Sequence, residues 1–222
     1  MQNGMTGDKN MAVFSLAKFF QQAQATTNLK SDRDRPIPDI QKAMLDSGRI
    51  EFAQLATWVG TYEKKQFVSM FPMPFLAGSS VVQGVLSTLS HQEITKLFEE
   101  KRDAVRVNQN ERGLLEWAVY PLVKKKGTFG TGIDKFLIGR TSESDIVIPD
   151  YAISKKHAEI RMVHKKCYIK DSGARNKTSI NNALLEKNIE RPLKDGDMLK
   201  FGRYKFYFKD SQGIYELLNP EF

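Results

Sequence analysis

Four short stretches in the second half of the chain carry side chains suited to holding an oxyanion. Gly139-Arg140 closes an apolar run. Ser154-Lys155-Lys156-His157 follows a loop. Asn176-Lys177-Thr178, with Asn181 beyond it, follows an Asp171-Ser172-Gly173 turn. Gly196-Asp197 comes near the end. Arg140 offers a planar guanidinium fork that can meet two anionic oxygens at once. Ser154 supplies a short hydroxyl donor, and Lys155 and Lys156 add positive charge on the same loop. The Asn176 amide both donates and accepts, which suits a peptide main chain. No reactive machinery accompanies these groups. The chain has no Walker-type phosphate loop, no kinase catalytic-loop motif and no cyclase-like signature, and neither His91 nor His164 has a plausible catalytic nucleophile or acid nearby in sequence. The three histidines (with His157) fit no metal-ligand spacing. The single cysteine, Cys167, excludes both an intrachain disulfide and a cysteine-rich zinc site. The expectation is a binding protein, not an enzyme, with no metal and no cofactor.

The elements that must position these groups fall into two halves. The chain has 222 residues, 41% hydrophobic and 27% charged, within the range of one large or two small globular domains. No run of 18 uncharged apolar residues exists, and Lys18 and Gln21-Gln22 interrupt the only leader-like stretch, so a soluble cytoplasmic protein is expected. Of the formal net charge of +8, residues 113–222 carry +6, from 20 basic and 14 acidic residues. That excess favours an anionic partner such as phosphate, nucleic acid or an acidic peptide, against the alternative of a solvated surface tuned for solubility.

Residues 1–112 read as helical. Phe14, Leu16, Phe19, Phe20 and Ala23 form an apolar stripe. Phe52, Leu55, Ala56 and Val59 share one helix face, and Val82, Val85, Leu86 and Leu89 repeat that spacing. Ser90 with Glu93 makes a capping box before a charged helix running to about Arg106. Residues 28–38, charged and proline-containing, suit an exposed flexible linker. Asp39 to Ser47 reads as a short helix stopped at Gly48, and Phe71-Pro-Met-Pro-Phe75 as an apolar turn. The aromatic and methionine residues here read as core, with a partner-binding face as the alternative.

From about Trp117 the pattern becomes short alternating or apolar runs. Phe136–Ile138, Ile146–Ile148, Ala158–Val163, Tyr168-Ile169 and Tyr204–Phe208 read as strands separated by Gly- and Asp-rich turns, which suggests a β-sandwich over residues 113–222. Lys165-Lys166 falls in a hairpin turn, and Lys124-Lys125-Lys126 reads as a solvated edge, not a nucleic-acid patch. Cys167 alternates with core positions.

In order and spacing, Gly139-Arg140, Ser154-x-x-His157, Asn176-x-Thr178 with Asn181, and Gly196-Asp197 resemble the forkhead-associated (FHA) domain over roughly residues 115–210. The resemblance implies an 11-stranded β-sandwich whose loops at one end read phosphothreonine. It implies that Arg140 and Ser154 bind phosphate, that Lys156 lies near it, and that Asn176 holds the ligand backbone. His157 and Asn181 then brace the loops, while Gly139 and Thr178 shape the fold. A phosphothreonine carries about −1.5 to −2 charges and three strong acceptor oxygens, which matches these donors. The rival reading of Arg140 is a strand-end side chain that merely snorkels.

Three departures from the family pattern stand out. Lys177 and Asn182 occupy positions usually held by glycine. Arg175 stands beside Asn176, where it would either add a cation at the phosphate or narrow the pocket. Ala152 stands where some members have an arginine that reads an acidic residue three after the phosphothreonine, so an apolar residue is expected there. The chain therefore reads as a two-domain adaptor, a small all-α region followed by an all-β FHA-like sandwich, docking phosphothreonine-containing proteins through Arg140, Ser154, Lys155, Lys156, Arg175 and Asn176. The helical region would bind a second partner or regulate access. Thr26, beside the linker, is itself a candidate ligand once phosphorylated. The alternatives are a phosphate-independent FHA scaffold and a basic nucleic-acid binder, the latter disfavoured because the aromatic residues alternate as core.

Overall fold

The computed structural model describes residues 38–78, 118–125 and 132–219. The expected helices around residues 14–23, 82–89 and 90–106, nearly all of the 28–38 linker, most of the 127–132 turn and Thr26 lie outside the described residues.

Two sheets form an FHA-like β-sandwich. The strands are β1 (Phe75–Gly78), β2 (Ala118–Pro121), β3 (Lys135–Gly139), β4 (Ile146–Val147), β5 (Ala158–Val163), β6 (Lys166–Asp171), β7 (Thr178–Ile180), β8 (Ala183–Leu184), β9 (Arg191–Leu193), β10 (Met198–Phe201) and β11 (Tyr204–Lys209). One sheet has the order β2-β1-β11-β10-β7-β8 and the other β4-β3-β5-β6-β9. All named pairs are antiparallel except β3 with β4. Alternation along the strands builds the core between the sheets. Phe136 and Ile138 of β3, Ala158 and Ile160 of β5, Cys167 and Ile169 of β6, and Phe206 and Phe208 of β11 all point into it.

Among the described residues, helices and strands do not separate at residue 112. Residues 75–78, expected to begin in a turn, form β1, which lies between β2 and β11 in register Leu76 to Tyr120 and Leu76 to Phe208. Pro72 and Pro74 stop the preceding helix, and the chain then extends into the sheet. Conversely, residues 211–218, expected within an all-β region, form a helix. Ten of the eleven described strands thus fall in residues 113–222 and one before it.

Four helices are described: α1 (Ile40–Ala43), α2 (Phe52–Thr61), α3 (Lys64–Met70) and α4 (Ser211–Leu218). Local chemistry starts three of them. Asp39 caps α1 at the amides of Gln41 and Lys42. Glu63 and Gln66 make a reciprocal capping box on α3. Asp210 accepts from Gly213 at 2.7 Å to start α4. Their apolar faces form a second core with Leu55, Ala56, Val59, Phe67, Ile214 and Leu218. This core includes Phe75 and Ala77 of β1 and Val119 of β2, while Leu76, Ala118 and Tyr120 face the sandwich core. The β1–β2 pair is therefore buried on both faces. The α3–α4 contact is fixed by Phe67 against Tyr215, ring centroids 5.4 Å apart, and by Lys64 to Glu216 at 2.5 Å.

The expected helix over Asp39–Ser47 is only four residues long. The chain turns at Gly48 (φ +83°), Met44 bridges Ile50, and the Ile50 amide donates to the Val119 carbonyl at 2.9 Å. Residues 44–50 thus cover the free edge of β2, whose backbone groups take precedence over helix continuation. Among the described residues no helix is long and apolar enough to cross a membrane.

Candidate functional site

Ser154 sits where three loops meet: β3–β4, β4–β5 and β6–β7. Its carbonyl accepts from the Arg140 amide at 3.2 Å, its amide donates to His157 Nδ1 at 3.1 Å, and its Oγ accepts from the Arg175 amide at 3.2 Å. The hydroxyl donates no hydrogen bond among the described residues, and the residue is half-buried. Gly139 permits this convergence. A Cβ there would lie 2.0 Å from the Lys155 carbonyl oxygen and 2.5 Å from Ser144 Oγ, so only glycine lets the Lys155 backbone approach β3.

Asn176 is exposed. Its Nδ2 donates to the Ala152 carbonyl at 2.9 Å, and among the described residues its Oδ1 accepts no hydrogen bond. The same loop assembly therefore brings together Arg140, Ser154, Arg175 and Asn176, with Lys155 and Lys156 exposed directly after Ser154. The Arg140 guanidinium carbon lies 5.4 Å from the Tyr151 ring centroid. Among the described residues none of Arg140, Lys155, Lys156 and Arg175 has a carboxylate partner. Cations elsewhere do, as in Lys124–Asp145, Arg161–Glu190 and Lys170–Glu159. Unneutralised cations on loops whose backbones converge at Ser154 are equipped to hold a multiply charged oxyanion. Among the described residues no three His, Cys, Asp or Glu side chains converge as a metal site would require.

His157 braces this rim without facing it. Its side chain is wholly buried. Nδ1 accepts from the Ser154 amide, so it is Nε2 that carries the proton and donates to the Lys177 carbonyl at 3.2 Å. Burial holds the imidazole below its ordinary value near 6.5, against the raising effect of the Lys177 bond. The unfolded chain thus binds the proton more readily than the folded one, and stability from this group, complete above about pH 6.5, is lost as pH falls below that value. The melting temperature is therefore expected to decline as pH falls below about 6.5. A His157→Asn variant, able to accept and donate like the neutral ring, should lose most of that slope when the two are compared by thermal denaturation.

Lys177 adopts the left-handed backbone that glycine usually supplies at this position (φ +51°), and Asn181 and Asn182 do likewise at +48° and +70°. The turn is thus kept without glycine, at a cost of about 1–2 kcal/mol for a lysine. Lys177→Gly removes that strain but frees the unfolded chain, at about 0.5–1 kcal/mol. The net gain of about 0.5–1 kcal/mol should raise the melting temperature by about 2–3 °C. Thr178 and Asn181 hold the turn from either side. Thr178 Oγ1 donates to Asp171 at 2.8 Å, while Asn181 bridges Asp197 Oδ1 (2.8 Å) and the Met198 amide (2.9 Å).

Sequence reasoning missed the second carboxylate that shapes the site. Asp150 is buried, accepts from the Ala152 amide at 2.6 Å, and bonds the Arg203 guanidinium and the Tyr204 hydroxyl. It ties the β10–β11 turn to the loop carrying Ser154. Its signal was present only as a lone Asp before Tyr151 and an Arg-Tyr pair after Gly202, too far apart to read together. Tyr151, under Arg140, was missed for the same reason.

The model of the FHA domain family matches residues 136–202, from β3 through β10, and includes every candidate site residue. That segment of the chain is a forkhead-associated domain. Among curated relatives, the glycogen accumulation regulator GarA of Mycobacterium tuberculosis (strain ATCC 25618 / H37Rv) is 30% identical over 70 residues, 32% of this chain and 41% of the relative. The oxoglutarate dehydrogenase inhibitor of Corynebacterium efficiens is 33% identical over 70 residues, 32% of this chain and 47% of the relative. The match thus spans less than half the length of either. A solved structure from a structural and functional analysis of phosphothreonine-dependent FHA domain interactions is 26% identical, over 41% of this chain and 82% of that chain, with a TM-score of 0.34.

Proposed function

We propose that this chain is a cytoplasmic phosphothreonine-dependent adaptor. Arg140 and Ser154 hold the phosphate, Lys155, Lys156 and Arg175 add charge around it, and Asn176 grips the ligand backbone. Gly139, His157, Thr178 and Asn181 keep the loops in place. The observation that supports this reading most is the convergence at Ser154 of loops whose cations, Arg140, Lys155, Lys156 and Arg175, have no carboxylate partner among the described residues. A phosphoryl group supplies the missing counter-charge and three acceptors.

The N-terminal region would bind a second partner or govern access to the rim. Thr26 would, once phosphorylated, compete for the same site within one chain or between two. Leu29, three residues after Thr26, suits a site with Ala152 in place of a cation. The reading is tested with a phosphopeptide library screened against the full chain. Selection of phosphothreonine over unmodified threonine at one fixed position supports it. Retention of unphosphorylated peptides with equal affinity would replace it with a phosphate-independent scaffold.

A further inference from the structure

Of the basic run 124–126, Lys124 and Lys125 are described, and they are not the solvated edge expected. Both are tied to the β3–β4 loop, residues 140–145, which carries Arg140 at its start. Lys125 Nζ donates to the Ser142 carbonyl of that loop at 2.8 Å and to the Asp46 carbonyl at 2.9 Å. Lys124 Nζ donates to the Asp145 carboxylate, at the loop's far end, at 3.0 and 3.2 Å. Asp145 is buried and also accepts from the Leu137 amide of β3 at 2.9 Å. The stretch 44–50 runs alongside. Its Ser47 carbonyl accepts from the Val147 amide at 2.9 Å, and a Cβ on Gly48 would lie 2.1 Å from the Asp145 carbonyl oxygen. Nearer Arg140 the two segments part around a cavity of about 420 Å³, walled by Met44, Leu45 and Asp46 on one side and Ser142 on the other. Lys125 spans that gap, bonded to both sides.

We infer that Lys125 is a positioning residue for the phosphate site: it ties the β3–β4 loop to residues 44–50 and so holds Arg140 where it meets the phosphoryl group. The inference rests on the phosphothreonine reading. A binding constellation has to be held within about 0.5 Å of its productive geometry. Ser142 lies two residues from Arg140, and a loop released there keeps the binding geometry for only part of the time, which weakens affinity by that fraction. An ammonium suits the task because one nitrogen carries three donors and serves carbonyls of two segments at once. The link is reciprocal. If the anchored loop favours phosphate, bound phosphate favours the anchored loop, and with it residues 44–50. Lys125 and Asp46 lie outside residues 136–202. The FHA segment therefore takes part of its site geometry from chain that precedes it.

Two measurements on the full chain test this. A phosphothreonine peptide is titrated at low and high salt against the unaltered chain, Lys125→Met and Lys125→Arg. Methionine keeps an apolar stem without the ammonium, and arginine restores a cation with several donors. Lys124 is left intact, because its loss would strand the buried Asp145 carboxylate. Lys125→Met should bind about threefold to tenfold weaker, by the same factor at both salt concentrations, and Lys125→Arg should recover most of the loss. A loss that vanishes at high salt would make Lys125 a distant attractor of the phosphate and overturn the positioning role. Unaltered affinity in Lys125→Met, or Lys125→Arg binding as weakly as Lys125→Met, would overturn it too. The second measurement needs no variant. Hydrogen exchange at the Leu45 and Gly48 amides, which donate to the Arg49 and Leu45 carbonyls, should slow about twofold or more when the peptide saturates the unaltered chain. Tight phosphopeptide binding with unchanged exchange there removes this inference and leaves the phosphate reading standing. Failure of the unaltered chain to bind the phosphopeptide removes both.

Discussion

Arg140→Ala should abolish phosphopeptide binding while leaving the fold intact. Charge-assisted hydrogen bonds contribute about 1.5–3 kcal/mol each. A guanidinium that meets two phosphoryl oxygens makes two of them, so affinity should fall at least tenfold if one is lost and by about a hundredfold to ten-thousandfold if both are. Stability should hardly move. The side chain is half-buried, its described contact is the Tyr151 ring at 5.4 Å, and an exposed cation–π contact contributes about 0.5–1 kcal/mol. The backbone bond from the Arg140 amide to Ser154 survives the substitution. Ser154→Ala is the graded control. It removes one neutral hydroxyl, and with it the acceptor for the Arg175 amide, so binding should weaken by about twofold to tenfold. Calorimetric titration of both variants, with melting temperatures alongside, checks the order. Normal binding by Arg140→Ala with an unchanged melting temperature would place the phosphate elsewhere.

Removing residues 1–112 should unfold what remains. A fragment 113–222 keeps ten described strands but loses β1 from within the six-stranded sheet, leaving β2 without its strand partner and β11 with a bare edge. It also uncovers Val119, Ile214, Tyr215 and Leu218, all buried against residues 50–77. Truncating one buried leucine costs about 2–5 kcal/mol. The fragment loses Leu76 from the sandwich core together with Phe67, Phe71 and Phe75 from the helical one, while a whole domain is stable by only about 5–15 kcal/mol. Circular dichroism and gel filtration should show an unfolded or aggregated 113–222 fragment, whereas a fragment beginning at residue 38 should unfold cooperatively. A cooperative 113–222 fragment melting near the intact chain would show that β1 and the helical layer are accessories.

This second expectation marks where the sequence stops being legible. Strands β6 and β11, and the first half of β5, alternate between buried and more exposed positions, and their periodicity is read directly, while β3 shows as an apolar run. The site loops are legible because each carries a residue type that few structural roles demand at that spacing. β1 has neither advantage. Phe75-Leu-Ala-Gly78 is a four-residue run buried on both faces, and periodicity cannot distinguish such a run from a buried turn or a helix fragment. Its partner β2 lies 39 residues further on, so no hairpin signal links them. Two prolines just before it read as a turn, which they also are. The helix over Ser211–Leu218 was legible in principle from the Asp210 cap, but it follows a strand without a break, and Gly213 weakens its propensity. The Asp150 network needed three-dimensional proximity between residues about 50 positions apart.

The most direct test of the central claim is a nuclear magnetic resonance titration of the intact, isotope-labelled chain with a phosphothreonine peptide and its unphosphorylated twin. Shifts should appear for the phosphopeptide alone and cluster on the amides of Arg140, Ser154, Lys155, Lys156, Arg175 and Asn176. Identical shifts with both peptides, or shifts confined to the helical layer around α2, α3 and α4, would contradict the assignment of these loops as a phosphothreonine site.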